Sequence, residues 1–195
     1  AEMADAEEVK SLAKNTLKQF DRVDILVNNA GVTIPQPILE AEIENFHTII
    51  NVNVLAPLLL TQSFAPGMIE RGHGKIINIS SRAAIRAFPT GGIYSASKSA
   101  LQLLTQTMAV EFGPHNVQAN CIAPTVTNTP MGKSAWPPSP RRDTKLSRIP
   151  TGRFAEAEEV ASAALFLASP QSDFISGVEL PIDGGEGAAG RSATV

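Results

Sequence analysis

Tyr94 and Lys98 are the two residues whose types and spacing most clearly indicate chemistry. Tyr94 is the only tyrosine among 195 residues, and Lys98 follows it after three small residues. On a helix, a separation of four residues places both side chains on one face. A positive charge close to a phenol favours the phenolate, so we expect Lys98 to lower the pKa of Tyr94 towards that of a useful acid or base. A chance pair on a surface helix is the alternative.

The composition argues against several classes of function. The net charge is -3 and aromatic residues are few, so the chain lacks the basic, aromatic surface typical of nucleic-acid binding. The longest apolar run, residues 54–60, is too short to span a bilayer, and the first twenty residues do not resemble a signal peptide. One cysteine allows no internal disulfide, and three scattered histidines indicate no metal site. We predict a cytoplasmic protein that binds no nucleic acid, membrane or metal.

Hydrophobic periodicity predicts helices that alternate with short buried strands. Residues 5–20 form the first predicted helix, with acids early and lysines late, as the helix dipole favours. The other predicted elements, in order, are a strand within 23–31, a helix over 43–71, a strand at 74–80, a helix over 94–113, a strand at 117–124, a loop of some 25 residues, a helix over 156–169 and a strand with its turn at 177–185.

This alternation predicts an α/β fold with a parallel sheet, whose ligands bind at the carboxyl ends of the strands. Three polar or small segments fall at those ends, namely residues 28–31, 80–81 and 123–125. We therefore expect Tyr94 and Lys98 to belong to a site at that edge of the sheet.

With these elements in place, the sequence resembles the short-chain dehydrogenase/reductase family. The features that carry the resemblance are "NNAG" at 28–31, Asn53 in "INVNVLAP", Ser81 thirteen residues before Tyr94, the Tyr-x-x-x-Lys pair, and "APTVTNTPM" after the third strand. The resemblance implies a Rossmann-like, doubly wound parallel sheet. It also implies an enzyme that interconverts a carbonyl and a secondary alcohol with a nicotinamide cofactor.

The resemblance assigns a catalytic role to four residues. Tyr94 would be the general acid that protonates the carbonyl oxygen, or the base in the reverse direction, and Ser81 would hydrogen-bond the same oxygen. Lys98 would depress the pKa of Tyr94 and hold the nicotinamide ribose, and Asn53 would kink its helix and keep a water that relays protons to Lys98. Without the resemblance, Ser81 would be interpreted as a helix or turn cap, and Asn53 as a polar position on a surface helix.

The same resemblance predicts the residues that contact the cofactor, with NADP(H) favoured over NAD(H). They are Asn28, Ala30, Gly31, Tyr94, Lys98, Pro124, Thr125, Val126 and Thr129. The family usually has Pro-Gly where this chain has Pro124-Thr125, so a contact at that position must tolerate a β-branched side chain.

A closer resemblance is to the branch of the family that reduces dicarbonyls and L-xylulose with NADPH. It predicts that Ser81, Phe88, Tyr94 and Trp136 contact a small carbonyl or alcohol substrate, and that residues 131–150 form a substrate lid. Trp136 could instead simply pack the loop down. That branch would place a histidine shortly before the tyrosine, where this chain has "TGGIY".

The sequence contains no G-x-x-x-G-x-G turn. We therefore expect a single Rossmann-type domain over residues 1–185 without its first βαβαβ half, an unpaired apolar edge at "DILV", and a mobile tail over 186–195. Two functions stay open: a reductase that is incomplete at its start or completed by another chain, and a non-catalytic, reductase-derived fragment that acts in assembly or interaction. An epimerase or dehydratase reaction at the same site is a third, weaker possibility.

We also predict a dimer or tetramer. Leu101, Leu104, Met108 and Phe112 on one long helix, together with the partly apolar helix over 43–69, offer more apolar surface than one sheet is expected to cover. The alternative is that both faces pack on the sheet.

Overall fold

The computed structural model describes residues 1–189. Its helices are α1 (Ala6–Phe20), α2 (Ile43–Ile50), α3 (Ala56–Arg71), α4 (Gly92–Phe112), α5 (Pro130–Ala135), α6 (Pro140–Leu146) and α7 (Ala157–Ala168), and its strands are β1 (Ile25–Asn28), β2 (Gly74–Ile79), β3 (Val117–Pro124) and β4 (Glu179–Ile182). Each predicted helix and strand is present, with ends that agree within a few residues.

The four strands form one parallel sheet in the order β1-β2-β3-β4. Asn28, Asn78 and Cys121 lie side by side across the first three strands. β3 is buried along its whole length, whereas β1 is an edge of the described sheet and half-exposes Ile25 and Val27. The predicted parallel α/β sheet is confirmed, and all its carboxyl ends lie along one edge.

Helices cover both faces of the sheet. α1, α3 and α4 pack on one face, around a core that includes Leu26, Ile76 and Ala119. α7 packs on the other face, where Leu167 contacts the core formed with Ile77 and Ile122. Successive side chains of a strand point to opposite faces, so strands covered on both sides have the continuous apolar sequences seen here. The sheet is therefore doubly wound, as the sequence predicted.

α2 and α3 belong to one continuous helix that is interrupted by a wide π-helical turn over Asn51–Leu55. This helix, Ile43–Arg71, is long and apolar enough to cross a membrane by length and composition, which the short apolar run in the sequence did not suggest. Half of its most apolar part is buried, and Leu60, Phe64 and Met68 pack into the core beneath it. A helix in the core of a soluble protein can have the same length and apolar composition.

The segment after β3, predicted as a loop, contains the two short helices α5 and α6. Both begin with the same signal. Thr129 caps α5 and Ser139 caps α6, each side chain accepting a hydrogen bond from the third residue of its helix, and each cap is followed by a proline. A capping hydroxyl followed by proline is a recognised helix start. The helices are too short to show clear periodicity, which is why the sequence pattern missed them.

The apolar residues of α4 differ in exposure from the prediction. Leu101 and Met108 are buried, and Leu104 and Phe112 pack against the core of the domain, so the face proposed for oligomerisation is covered by the sheet. The large apolar residues that α4 does expose are Leu103 and Val110.

The packed part of the domain includes Glu186, at which the predicted tail begins. This residue is only 6% exposed, and its carboxylate accepts hydrogen bonds from Thr125 and Lys145. The rest of the predicted tail, from residue 190 onwards, lies outside the described residues.

Candidate active site

The carboxyl end of β2 and the first turn of α4 bring Ser81 and Tyr94 near each other. Ser81 lies two residues beyond β2, and its hydroxyl caps the short turn Arg82–Ala84 by accepting from the Ala83 amide at 3.1 Å. Tyr94 lies in the first turn of α4. The Ser81 side chain lies near the Tyr94 hydroxyl, where it acts to lower the pKa of the phenol. The cap expected for an isolated serine and the proximity to the tyrosine are thus both present.

Asn53 lies in the wide helical turn, is fully buried, and uses both ends of its amide. Its Oδ1 accepts from the Val32 amide and its Nδ2 donates to the Val32 carbonyl, both at 2.9 Å. The Nδ2 also donates to Ser97 Oγ at 2.9 Å, and that hydroxyl donates to the Tyr94 carbonyl at 2.7 Å. One side chain therefore fastens the loop after β1 to the first turn of α4.

Lys98 extends beneath Tyr94 towards the end of β2. Its Nζ donates to the Ile79 carbonyl at 2.8 Å and lies 5.9 Å from the centroid of the Tyr94 ring. A Cβ at Gly31 would come within 3.2 Å of this Nζ and 3.4 Å of Asn53 Oδ1. Gly31, Asn53 and Lys98 consequently meet at one point, where the missing side chain of the glycine leaves room.

Burial controls the protonation of both reactive groups. Burial raises the pKa of Tyr94 above its ordinary value of 10.0, and the hydrogen bond with Ser81 offsets part of this rise. Burial also lowers the pKa of Lys98 from 10.5 to about 8. The predicted net lowering of the Tyr94 pKa is therefore wrong for this chain, because the loss of hydration on burial raises it. The site holds a protonated phenol beside an amine that can give up its proton.

A buried polar chain, which the sequence did not reveal, connects the strands behind this site. Asn28 Nδ2 donates to Asn78 Oδ1, and Asn78 Nδ2 donates to Thr105 Oγ1 on α4, each at 2.7 Å. Cys121 on β3 donates to the same hydroxyl, so the thiol behaves as a buried structural group. Asn78 stands in an otherwise apolar strand, which is its only signal in the sequence, whereas Thr105 lies among other polar residues and gives none.

Phe88 and Ile38 explain why two glycines precede Tyr94. A Cβ at Gly91 would come within 2.0 Å of the Phe88 ring, and one at Gly92 within 2.5 Å of the Ile38 side chain. A histidine at either position would therefore collide with a neighbouring side chain. Phe88 also lines a cavity of about 390 Å³ together with Trp136 of the predicted lid. The two predicted apolar substrate contacts thus face the same space.

The residues after β3 form a separate arm of the site. Pro124 ends the strand, the Val126 carbonyl accepts from the Ala155 amide, and Thr129 caps α5. Thr125, which replaces the glycine usual in the family, donates to Glu186, and Glu186 is paired with Lys145 of α6. The sequence did not indicate a role for Glu186 or Lys145. Glu186 holds the Thr125 hydroxyl by a hydrogen bond, and Lys145 balances the charge of Glu186.

Most of the predicted residues therefore fall into four groups, of which the segment 124–129 is one. Ser81 lies near Tyr94, Gly31 and Asn53 meet Lys98, and Phe88 and Trp136 share a cavity, whereas within residues 1–189 no hydrogen bond joins the segment 124–129 to Tyr94 or Lys98. Ala30 is exposed in the loop after β1. In the same described range, no group of three or more His, Cys, Asp or Glu residues is placed to hold a metal ion.

Comparison with known proteins points to one family. A family model described as enoyl-(acyl carrier protein) reductase matches residues 1–186. The chain is 44% identical over 173 residues to an L-xylulose reductase of Mesocricetus auratus, an alignment that covers 88% of this chain and 71% of that protein.

Solved structures show the same architecture. A gluconate 5-dehydrogenase from Burkholderia cenocepacia, in complex with NADP and tartrate, superposes with a TM-score of 0.90 at 35% identity, over 96% of this chain and 74% of that one. An NAD⁺-bound xylitol dehydrogenase superposes with a TM-score of 0.87 at 25% identity, over 95% of this chain and 77% of that one.

Lys98 makes the stability of the domain depend on pH in a predictable direction. Because its pKa is about 8 in the folded protein and near 10.5 in the unfolded chain, the unfolded state binds more protons between these values, and the free energy of unfolding rises with pH there. Lys98→Met removes this contribution. We expect the difference in unfolding free energy, wild type minus variant, to rise by about 2 to 3 kcal/mol from pH 7.5 to 10 in urea titrations. Groups that titrate independently of Lys98 cancel in this difference, and a difference that stays flat or falls would contradict the assignment.

Proposed function

Because the chain belongs to the short-chain dehydrogenase/reductase family, and is therefore a nicotinamide-dependent oxidoreductase, we propose that it interconverts a ketone, diketone or keto-sugar and the corresponding secondary alcohol through Ser81, Tyr94 and Lys98. The observation that carries the proposal is the arrangement of Ser81 beside Tyr94 in the first turn of α4, with buried Lys98 one helical turn further along. A substrate carbonyl placed between the two hydroxyls would find one donor that orients it and one that can protonate it.

The residues on the nicotinamide side of the site fit a dinucleotide. Gly31 lacks the Cβ that would press on Lys98 and Asn53, so the backbone there can approach a ligand closely. We propose that Asn28, Ala30 and Gly31 line the adenosine side, that Lys98 binds ribose hydroxyls, and that Val126 and Thr129, beside Pro124 and Thr125, meet the carboxamide. The bound cofactor would supply the hydride.

The protein's own side chains can supply the proton that the carbonyl oxygen receives. Tyr94 is held protonated by burial, so in the reducing direction it donates its hydroxyl proton to the carbonyl oxygen while Ser81 stabilises the charge that develops there. Lys98, with a pKa of about 8, can then return a proton towards the tyrosinate. Asn53 holds the loop and α4 at the spacing this transfer needs. Its further role in keeping a relay water stays a prediction.

NADP(H) is proposed over NAD(H). The NADP-bound gluconate 5-dehydrogenase is 35% identical to this chain, against 25% for the NAD⁺-bound xylitol dehydrogenase. L-xylulose reductase, at 44% identity, supports a keto-sugar or diketone as the substrate class, with Phe88 and Trp136 as its apolar contacts.

We further propose a dimer or tetramer that uses the exposed face of α4. Leu103 and Val110 are 64% and 77% exposed and lie seven residues apart, so they share one face of the helix.

Tyr94→Phe tests the proton donor. Removing only the hydroxyl should lower kcat about 10² to 10⁴-fold for reduction of hexane-2,5-dione by NADPH, with little change in the KM for NADPH. Ser95→Ala is the matched control, because Ser95 is the next residue of the same helical turn and its buried hydroxyl has no hydrogen-bond partner among the described residues. Near-normal turnover by the phenylalanine variant would remove Tyr94 from the mechanism.

A cofactor-fluorescence titration tests whether the protein is an oxidoreductase or a non-catalytic interaction protein. We expect the emission of NADPH to increase and shift on mixing with the protein, with a dissociation constant lower than that for NADH. Gly31→Val should weaken this binding, because its side chain would press on Lys98 and Asn53. A flat titration with both nucleotides would instead favour the interaction protein.

Leu103→Glu tests the oligomer. A charge in an apolar interface should lower the molar mass seen by light scattering at micromolar concentration towards the 20.6 kDa of one chain. Leu39→Glu is the control, since Leu39 is fully exposed outside α4. A wild-type protein that is itself monomeric would refute the proposal.

A further inference from the structure

The cavity beside Phe88 has walls of two different kinds. Phe88 and Pro89 form one side, and Trp136 with the outer face of α6 forms the other, around a volume of about 390 Å³, within the size range of small-molecule sites. The Phe88 ring covers Gly91, three residues before Tyr94, so this wall continues to the first turn of α4. Ser81 and Tyr94 do not line the cavity, so the Phe88 wall is what connects it with the reacting hydroxyls.

Three cations line this cavity. Arg141, Lys145 and Arg148 are separated by four and three residues, which places them on one side of α6 and the turn that continues it. Neither a carboxylate nor a carboxamide side chain is among the residues that line the cavity. This local excess of positive charge contrasts with the net charge of -3 of the whole chain.

The guanidinium groups of Arg141 and Arg148 are available to bind an anionic ligand. Lys145 is already paired with Glu186, whereas within residues 1–189 no carboxylate lies within 4 Å of the guanidinium of Arg141 or Arg148. The Arg141 guanidinium lies 4.5 Å from the centre of the Trp136 ring, an arrangement that holds the group in place and leaves its N–H edge available.

We propose that the substrate carries an anionic group, a carboxylate or a phosphate, that binds Arg141 and Arg148 while its carbon chain lies between Phe88 and Trp136. Guanidinium groups bind both anions through paired charge-assisted hydrogen bonds. A neutral polyol needs acceptors as well as donors, and among the side chains that line the cavity only the Thr144 hydroxyl can accept a hydrogen bond. The inference rests on the proposed function, since it names the class of ketone that the same site reduces: a keto acid, a keto-sugar acid or a keto-sugar phosphate.

The first test compares matched substrates. 4-Oxopentanoate and hexane-2,5-dione have similar size and differ by a carboxylate, and dihydroxyacetone phosphate and dihydroxyacetone differ by a phosphate. We expect kcat/KM to be at least tenfold higher for the anionic member of one pair, with the preference reduced by added salt. The pair that shows the preference identifies the anion.

Arg148→Gln should remove most of this preference. Lys133→Gln is the control, because it removes one positive charge from α5 of the same segment without lining the cavity. Equal kcat/KM within both pairs, or a preference that survives Arg148→Gln and Arg141→Gln, would overturn the inference and leave the reductase function standing.

A second readout needs no turnover. Trp136 is the only tryptophan, so its fluorescence reports on this cavity alone. Titration with glutarate or inorganic phosphate should give a saturable change in wild type and Lys133→Gln that is weakened at least tenfold in Arg148→Gln. If no ketone is reduced, this titration still decides: a saturable change lost in Arg148→Gln supports the anion site, and no change with either anion overturns it.

Discussion

The structure depends most directly on the buried amide of Asn53. A buried amide is costly unless its donors and acceptor are satisfied, and here Val32 and Ser97 satisfy them. To reach these partners the helix opens into a wide turn at Asn51–Leu55, and such turns are frequent at functional sites. The loop after β1 and the first turn of α4 come from different parts of the chain, and this one side chain sets their separation. The positions of Gly31, Tyr94 and Lys98 follow from it.

Burial then determines the chemistry. Tyr94 and Lys98 lie where parallel strands end and helices cover the sheet, so both lose most of their hydration. That loss raises the pKa of the phenol and lowers that of the amine, which leaves a proton on the tyrosine and makes the lysine an easier proton source. Around this centre the charges are arranged differently: Glu186 neutralises Lys145, while Arg141 and Arg148 face the cavity without a carboxylate partner among the described residues. The reacting end of the site is therefore desolvated and the distal end is cationic.

Much of this could be predicted from the sequence, because it depends on local patterns. Apolar runs ending in polar residues predicted the parallel sheet and its functional edge, and the spacing of Tyr94 and Lys98 predicted a shared helix face. The direction of the Tyr94 pKa shift could not be predicted, since it depends on how completely the fold buries the phenol. Glu186 was assigned to a tail because its neighbours are small, and its partners Thr125 and Lys145 are 61 and 41 residues away. The fit of Phe88 over Gly91 likewise depends on the conformation of the turn, where Thr90 has a positive φ of 65°.

The central claim is that burial, rather than the charge of Lys98, sets the protonation of Tyr94. Because Tyr94 is the only tyrosine, absorbance at about 295 nm during a pH titration reports the tyrosinate of this residue alone. With circular dichroism confirming that the domain remains folded, the account predicts a midpoint above 10. A midpoint below about 9 would show that the lysine dominates and would contradict the account.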